Sequence, residues 1–161
     1  MAREEVVISR YMDPEFGALE LIETRTRAAV NGGPMRPLIS RRWTGKLPDI
    51  GATLSISSSE GPPIVADEIR TVLRSILSDV GDFKRQVAHS QLELAKDWAA
   101  AGGIDLLLDE STFSDSLRID GFTIGEETLT VWLEDTADIF AGHSLEVRME
   151  RGEIIEICLA G

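Results

Sequence analysis

The chain has little of what redox-active, metal-binding or membrane proteins rely on. Its 161 residues include one cysteine, Cys158, and two histidines, so an internal disulfide and a cysteine-cluster metal site are excluded. No apolar run approaches the roughly 20 residues that a membrane helix needs. The first five residues carry two acids where a secretory signal would be basic and then apolar. We therefore expect a cytoplasmic protein that has no contact with the membrane.

Basic residues are scarce in the C-terminal third. The net charge is −12, and residues 104–161 hold 14 acidic and 3 basic side chains, whereas residues 1–63 hold eight of each. Such asymmetry produces a field that repels nucleic-acid phosphates and anionic lipid and attracts basic protein surfaces. A basic protein is therefore the expected partner, and nucleic acid is not. Alternatively, the acids only keep a β-rich surface soluble.

Several motifs that carry known chemistry are absent. The sequence has neither of the glycine-rich phosphate-binding patterns, no Gly-x-Ser-x-Gly nucleophile turn and no Asp-x-Asp-x-Asp-Gly calcium loop. We therefore expect no cofactor, no metal ion and no catalytic residue of these classes.

The order of the predicted elements indicates the fold class. Residues 1–63 and 104–161 carry strand patterns, and residues 64–103 carry two helices. Strands followed by helices and again by strands predict one α+β domain, with antiparallel sheet or sheets from the N-terminal and C-terminal strands packed with the central helix pair. Residues 28–37, with Asn31-Gly32-Gly33-Pro34, are predicted as a loop or hairpin tip.

Apolar spacing and glycine positions predict the two helices. An apolar stripe from Val65 to Val80 recurs at helical period. Gly81 is predicted to end the first helix, and Asp82 to cap the second. Gly102-Gly103 is predicted to end the second helix.

The alternation of apolar and polar residues along the last two strands predicts the register of their hairpin. A three-residue loop, Glu150-Arg151-Gly152, places Val147 opposite Ile155. A two-residue loop would place Val147 opposite Glu156, and we reject it for that reason. The chosen register sets Glu146 opposite Glu156, an unfavourable pair that an arginine of the chain, a basic partner or a metal ion would relieve.

The C-terminal residues resemble a known pattern. The run from Leu129 to Asp135, the run from Ile139 to Val147 and the closing Gly161 resemble a bacterial family of domains of unknown function that share a C-terminal hairpin with a Gly-His step. Phe16 to Leu19 and Thr112 to Leu117 fit the same pattern. The resemblance implies an antiparallel sheet with helices and no reaction. Families of this kind are similar to the small acidic immunity proteins that neutralise bacterial toxins.

One candidate site surrounds His143 with Asp135 and Asp138. An imidazole near a carboxylate can exchange protons near neutral pH or bind a metal ion, which would indicate a small-ligand or metal-binding protein or a hydrolase. Alternatively, a histidine directly after Gly142 holds its turn through hydrogen bonds to the backbone. The sequence leaves both interpretations open.

A second candidate site is an acidic sheet face. Strand alternation places Trp132 on the face opposite that of its apolar neighbours, and an aromatic side chain among acids is typical of a binding hot spot. Alternatively, the helix pair covers Trp132. We favour a non-enzymatic interaction module, of the immunity type, that binds a basic bacterial partner through this face. Its expected residues are Trp132, Glu134, Glu146 and Glu156. A homodimer through an edge strand at residues 153–160 stays open.

Overall fold

The computed structural model describes residues 3–29, 32–57, 61–104 and 107–161. Within these residues eight strands form one sheet, and three helices lie between the fourth strand and the fifth. The strands are β1 (Glu4–Asp13), β2 (Gly17–Ala29), β3 (Met35–Leu47), β4 (Ala52–Ile56), β5 (Leu117–Ile124), β6 (Thr128–Asp135), β7 (Ser144–Glu150) and β8 (Glu153–Ala160). The helices are α1 (Asp67–Ser78), α2 (Val80–Ala101) and α3 (Glu110–Ser116).

The strands lie in the sheet in the order of the chain, β1 to β8. All neighbours are antiparallel except β4 and β5, which run parallel with Leu54 beside Phe122. A parallel pair needs a long crossover connection, and the segment that carries the three helices supplies it. The expected mixture of helices with a mostly antiparallel sheet is therefore confirmed. The sheet dominates the fold, and its two four-stranded antiparallel halves meet at a parallel pair.

One face of the sheet packs against the helices. In β6 the buried residues alternate, and Val131 and Leu133 are fully buried. They share one hydrophobic cluster with Leu73 of α1 and Val87 of α2. The opposite face, here called the open face, carries the residues between them, including Trp132.

The helices follow their predicted pattern with one boundary moved. The apolar stripe of α1 is buried at Ile69, Leu73 and Ile76. The first helix ends before Asp79, whose carboxylate accepts a hydrogen bond from the backbone N–H of Asp82 at 2.8 Å. Gly81 lies inside α2, so the boundary predicted there was wrong by two residues. Among the described helices, none is both long enough and apolar enough to cross a membrane.

The β7–β8 turn differs from the predicted one. Glu150 pairs with Glu153 across a two-residue turn, Arg151-Gly152. The φ angles of 50° at Arg151 and 80° at Gly152 are those of a type I′ turn. The predicted three-residue loop was therefore wrong.

A β-bulge accounts for the wrong register. Ile155 is an extra residue in β8, because the pairing shifts between Arg148 and Met149 of β7. An extra residue reverses the parity of the strand beyond it. Val147 therefore lies opposite Ile157 although the turn has two residues, the length that the sequence analysis rejected.

The β2–β3 hairpin extends through most of the segment predicted as a loop. β2 continues to Ala29 and pairs there with Met35; Asn31 of the predicted tip lies outside the described residues. Residues 32–41 are all exposed. No described residue from 25 to 42 is buried, so no apolar alternation marks this part of the hairpin in the sequence.

Candidate binding site

Trp132 lies on the open face in the middle of β6. Its side chain is half-buried, and its indole Nε1–H donates a hydrogen bond to Thr123 Oγ1 at 3.0 Å. Its direct neighbour on β5 is Gly121, which has no side chain, so the indole can lean over that strand. A Cβ atom at Gly121 would lie 3.0 Å from the carbonyl oxygen of Thr53, so the close approach of β4 requires glycine there. The helix pair does not cover Trp132, because the helices pack on the other face.

Glu146 is the direct neighbour of Trp132 on β7. Beyond it on β8 lies Cys158, whose Sγ is 3.8 Å from Glu146 Oε2. Burial, followed by the negative charges of Glu146 and Glu156, raises the pKa of the Cys158 thiol above its usual range. Within the described part of the chain Glu146 has no basic partner. The indole and the carboxylate therefore lie side by side on the open face.

The other two acids of the predicted face are paired. Glu134 forms an ion pair with Arg118 of β5, and Glu156 pairs with Arg148 at 2.9 Å. The predicted opposition of Glu146 and Glu156 was wrong, because the bulge moves Glu156 opposite Arg148. The chain's own arginines thus relieve two of the three charges, and Glu146 is the acid left beside Trp132.

Asp135 is occupied by the turn that follows β6. Its carboxylate accepts hydrogen bonds from three backbone N–H groups: those of Ala137 at 2.9 Å, Phe140 at 3.1 Å and Ile139. Asp138 is exposed at the corner of this turn with φ 56°. Asp135 therefore shapes the segment that leads to His143.

His143 lies against aromatic side chains. Its ring meets that of Trp98 edge to face, with centroids 5.7 Å apart, and its backbone N–H donates to the carbonyl of Phe140 at 3.0 Å. A Cβ at Gly161 would lie 2.5 Å from His143 Nδ1, so the glycine allows the chain to pass the ring. No hydrogen bond joins His143 to Asp135 or Asp138 within the described ranges. His143 is thus packed in the turn that precedes β7.

The described residues contain no cluster of three or more histidine, cysteine, aspartate or glutamate side chains that could hold a metal ion. The structure brings Trp132 and Glu146 together. His143 lies directly before the first residue of β7. Sequence reasoning missed Thr123 and Arg118 as neighbours of the site. Their positions depend on the β5–β6 pairing, and no local pattern shows it.

Comparison of the chain with protein-family models, with curated proteins and with solved structures found no match. The resemblance of the C-terminal hairpin to a bacterial family therefore stays a prediction.

Proposed function

We propose that this chain is a non-enzymatic binding module that receives a basic side chain of a protein partner at Trp132 and Glu146. The observation that carries the proposal is their direct cross-strand pairing on the open face. Glu134 and Glu156, both held by arginines, form the polar rim.

The two side chains have complementary uses for a cation. The face of an indole attracts an ammonium or guanidinium group, by about 0.5–1 kcal/mol at an exposed site and about 2 kcal/mol once water is removed. An adjacent carboxylate adds a charge-assisted hydrogen bond. An arginine or lysine that lies along Trp132 can reach Glu146 with its charged end, since neighbouring strands are about 4.8 Å apart.

The charge of the whole chain supports the same partner. A net charge of −12 accelerates the encounter with a basic surface and repels acidic competitors. The specific form of the proposal is an immunity-type protein that neutralises a basic bacterial partner. Raised salt should then weaken binding through the association rate.

Capture of a basic protein becomes informative only when it is compared among matched variants. The wild-type chain and the variants Trp132→Ala, Glu146→Gln and Asp115→Asn are immobilised separately and exposed to a lysate of the source cells. The captured proteins are then identified by mass spectrometry. Asp115 is exposed on α3, so its neutralisation changes the net charge as Glu146→Gln does but leaves the open face intact. We expect the wild type and Asp115→Asn to retain the same basic protein, and the two open-face variants to lose it.

Two results would overturn the proposal. Equal weakening by Asp115→Asn and Glu146→Gln would show that only the overall charge matters. Full retention by Trp132→Ala would place the contact elsewhere. If a purified partner has a measurable activity, stoichiometric addition of the chain should abolish it, and Trp132→Ala should fail to do so.

A further inference from the structure

The β2–β3 hairpin projects beyond the rest of the sheet. Eight residue pairs, from Ile22–Arg42 to Ala29–Met35, lie past the Trp43–Ile56 pair at which β4 ends. β1 still covers β2 as far as the Glu4–Arg25 pair, so the last four residue pairs form a two-stranded tip. At about 3.4 Å per residue this tip is about 10 Å long. We call residues 22–29 and 35–42 the basic arm.

The basic arm carries positive charge and exposed apolar side chains. It holds five arginines and one acid; Glu23 pairs with Arg25 at 2.7 Å and with Arg41 at 2.8 Å. Arg27 and Arg36 have no acidic partner among the residues that the structure describes. The three large apolar side chains of the β3 half are 46–59% exposed: Met35, Leu38 and Ile39. An isolated two-stranded ribbon is marginally stable in water, so a surface that covers it would stabilise it.

An acidic pocket lies at the same end of the sheet as the basic arm, across β4 and β5 from it. It has a volume of about 330 Å³ and lies between the start of α1 and the turns β5–β6 and β7–β8. Ile69 and Leu129 contribute apolar surface, and Arg151 is its one basic lining residue within the described ranges. Its acidic lining residues are Glu68, Glu126, Glu127 and Glu150.

We infer that the basic arm of one chain docks on the acidic pocket of a second copy, and that the contact is reciprocal. The arm belongs to β2 and β3, the pocket to β6 and β7, and both lie at the end of the sheet where β4 stops. A two-fold arrangement places each arm at the other copy's pocket. The result is a closed two-fold dimer, the commonest symmetry of soluble oligomers.

Other occupants fit the basic arm less well. The arm cannot reach its own pocket, because a paired ribbon that leaves the sheet along the strand direction does not fold back across β4 and β5. Two arms repel each other. A polyanion such as duplex DNA suits a basic ribbon, but its phosphates offer no apolar surface to the exposed Met35, Leu38 and Ile39. The second copy offers both acids and apolar surface.

Sedimentation velocity of the full chain at low and high salt tests the inference. We expect a dimer at low salt that dissociates as salt rises. Arg27→Glu with Arg36→Glu should weaken dimerisation by about tenfold or more, and Glu126→Lys with Glu127→Lys should do the same. A chain with all four changes has its charges exchanged and should dimerise again. This rescue separates loss of docking from loss of folding.

Matched controls use charges outside the contact. Arg85→Glu with Lys96→Glu on α2 changes the net charge as the arm variant does and should leave the dimer intact. A wild-type chain that is monomeric at low salt would overturn the inference, as would an arm variant that dimerises as tightly as the wild type. A monomer that binds duplex DNA, and loses it with Arg27→Glu and Arg36→Glu, would assign the arm to nucleic acid instead.

Discussion

Arg70 of α1 holds Asp13 of β1 with two hydrogen bonds, from Nη2 to Oδ2 at 2.8 Å and from Nη1 to Oδ1 at 3.1 Å. Asp13 is 3% exposed, and its Oδ1 also accepts the backbone N–H of Phe16 at 3.0 Å. The guanidinium lies 4.6 Å from the centre of the Phe16 ring. This pair fastens the first helix to the turn between the first two strands.

Removal of Arg70 should therefore destabilise the fold. Arg70→Met leaves a buried carboxylate without its cation, and we expect the free energy of unfolding to fall by about 3 kcal/mol. Arg74→Met is the matched control one helical turn later, since Arg74 is 62% exposed and pairs with Glu15 at the surface; it should cost less than about 1 kcal/mol. Urea unfolding at neutral pH measures both, and equal losses would contradict the assignment.

The same pair predicts how stability depends on pH. The Arg70 guanidinium, with help from the backbone N–H groups of Phe16 and Glu15, lowers the pKa of Asp13 from 3.8 to about 2. A depressed pKa in the folded state means that the contribution, about 2 kcal/mol, is complete above about pH 4 and is lost as the pH falls towards about 2. Urea midpoints across this range should fall more steeply in the wild type than in Arg70→Met. Parallel curves would show that other carboxylates dominate.

The β7–β8 turn predicts a stabilising substitution. Arg151 has a φ of 50°, a left-handed conformation that asparagine tolerates better than other side chains. Arg151→Asn should raise the free energy of unfolding by a few tenths to about 1 kcal/mol. Gly152→Ala, at a φ of 80°, should lower it by about 1 kcal/mol. Thermal melts of the two variants should therefore shift in opposite directions.

The register of β8 can be tested with the native cysteine. Cys158 lies directly opposite Glu146, at a separation that suits a disulfide between antiparallel neighbours. Glu146→Cys should form a disulfide with Cys158 under mild oxidation, seen as a mass loss of about two hydrogens. Glu156→Cys with Glu146→Cys and Cys158→Ala is the control, because the predicted three-residue loop would pair residues 146 and 156. Cross-linking in the control alone would restore the rejected register.

Local sequence patterns predicted the elements with one buried face. The stripe of α1 and the alternation of Leu129, Val131 and Leu133 both reflect burial against a single hydrophobic cluster, so their periods are visible in the residues themselves. The tip of the basic arm has no buried residue among those described, and residues 28–37 there were predicted as a loop. The bulge at Ile155 has no compositional mark, and one extra residue was enough to change the partners of both Glu146 and Glu156.

By itself, the sequence determined the helices, the strand-rich ends, the uneven charge and the parity that sets Trp132 apart from its apolar neighbours, because these depend on residues close together in the chain. Only the tertiary structure decided that β4 and β5 run parallel, that Arg148 and Arg118 neutralise two of the three acids, and that Glu146 is left beside Trp132. These relations join strands across the sheet. The pairing of strands depends on interaction energies between residues far apart in the sequence, and no single segment determines such energies.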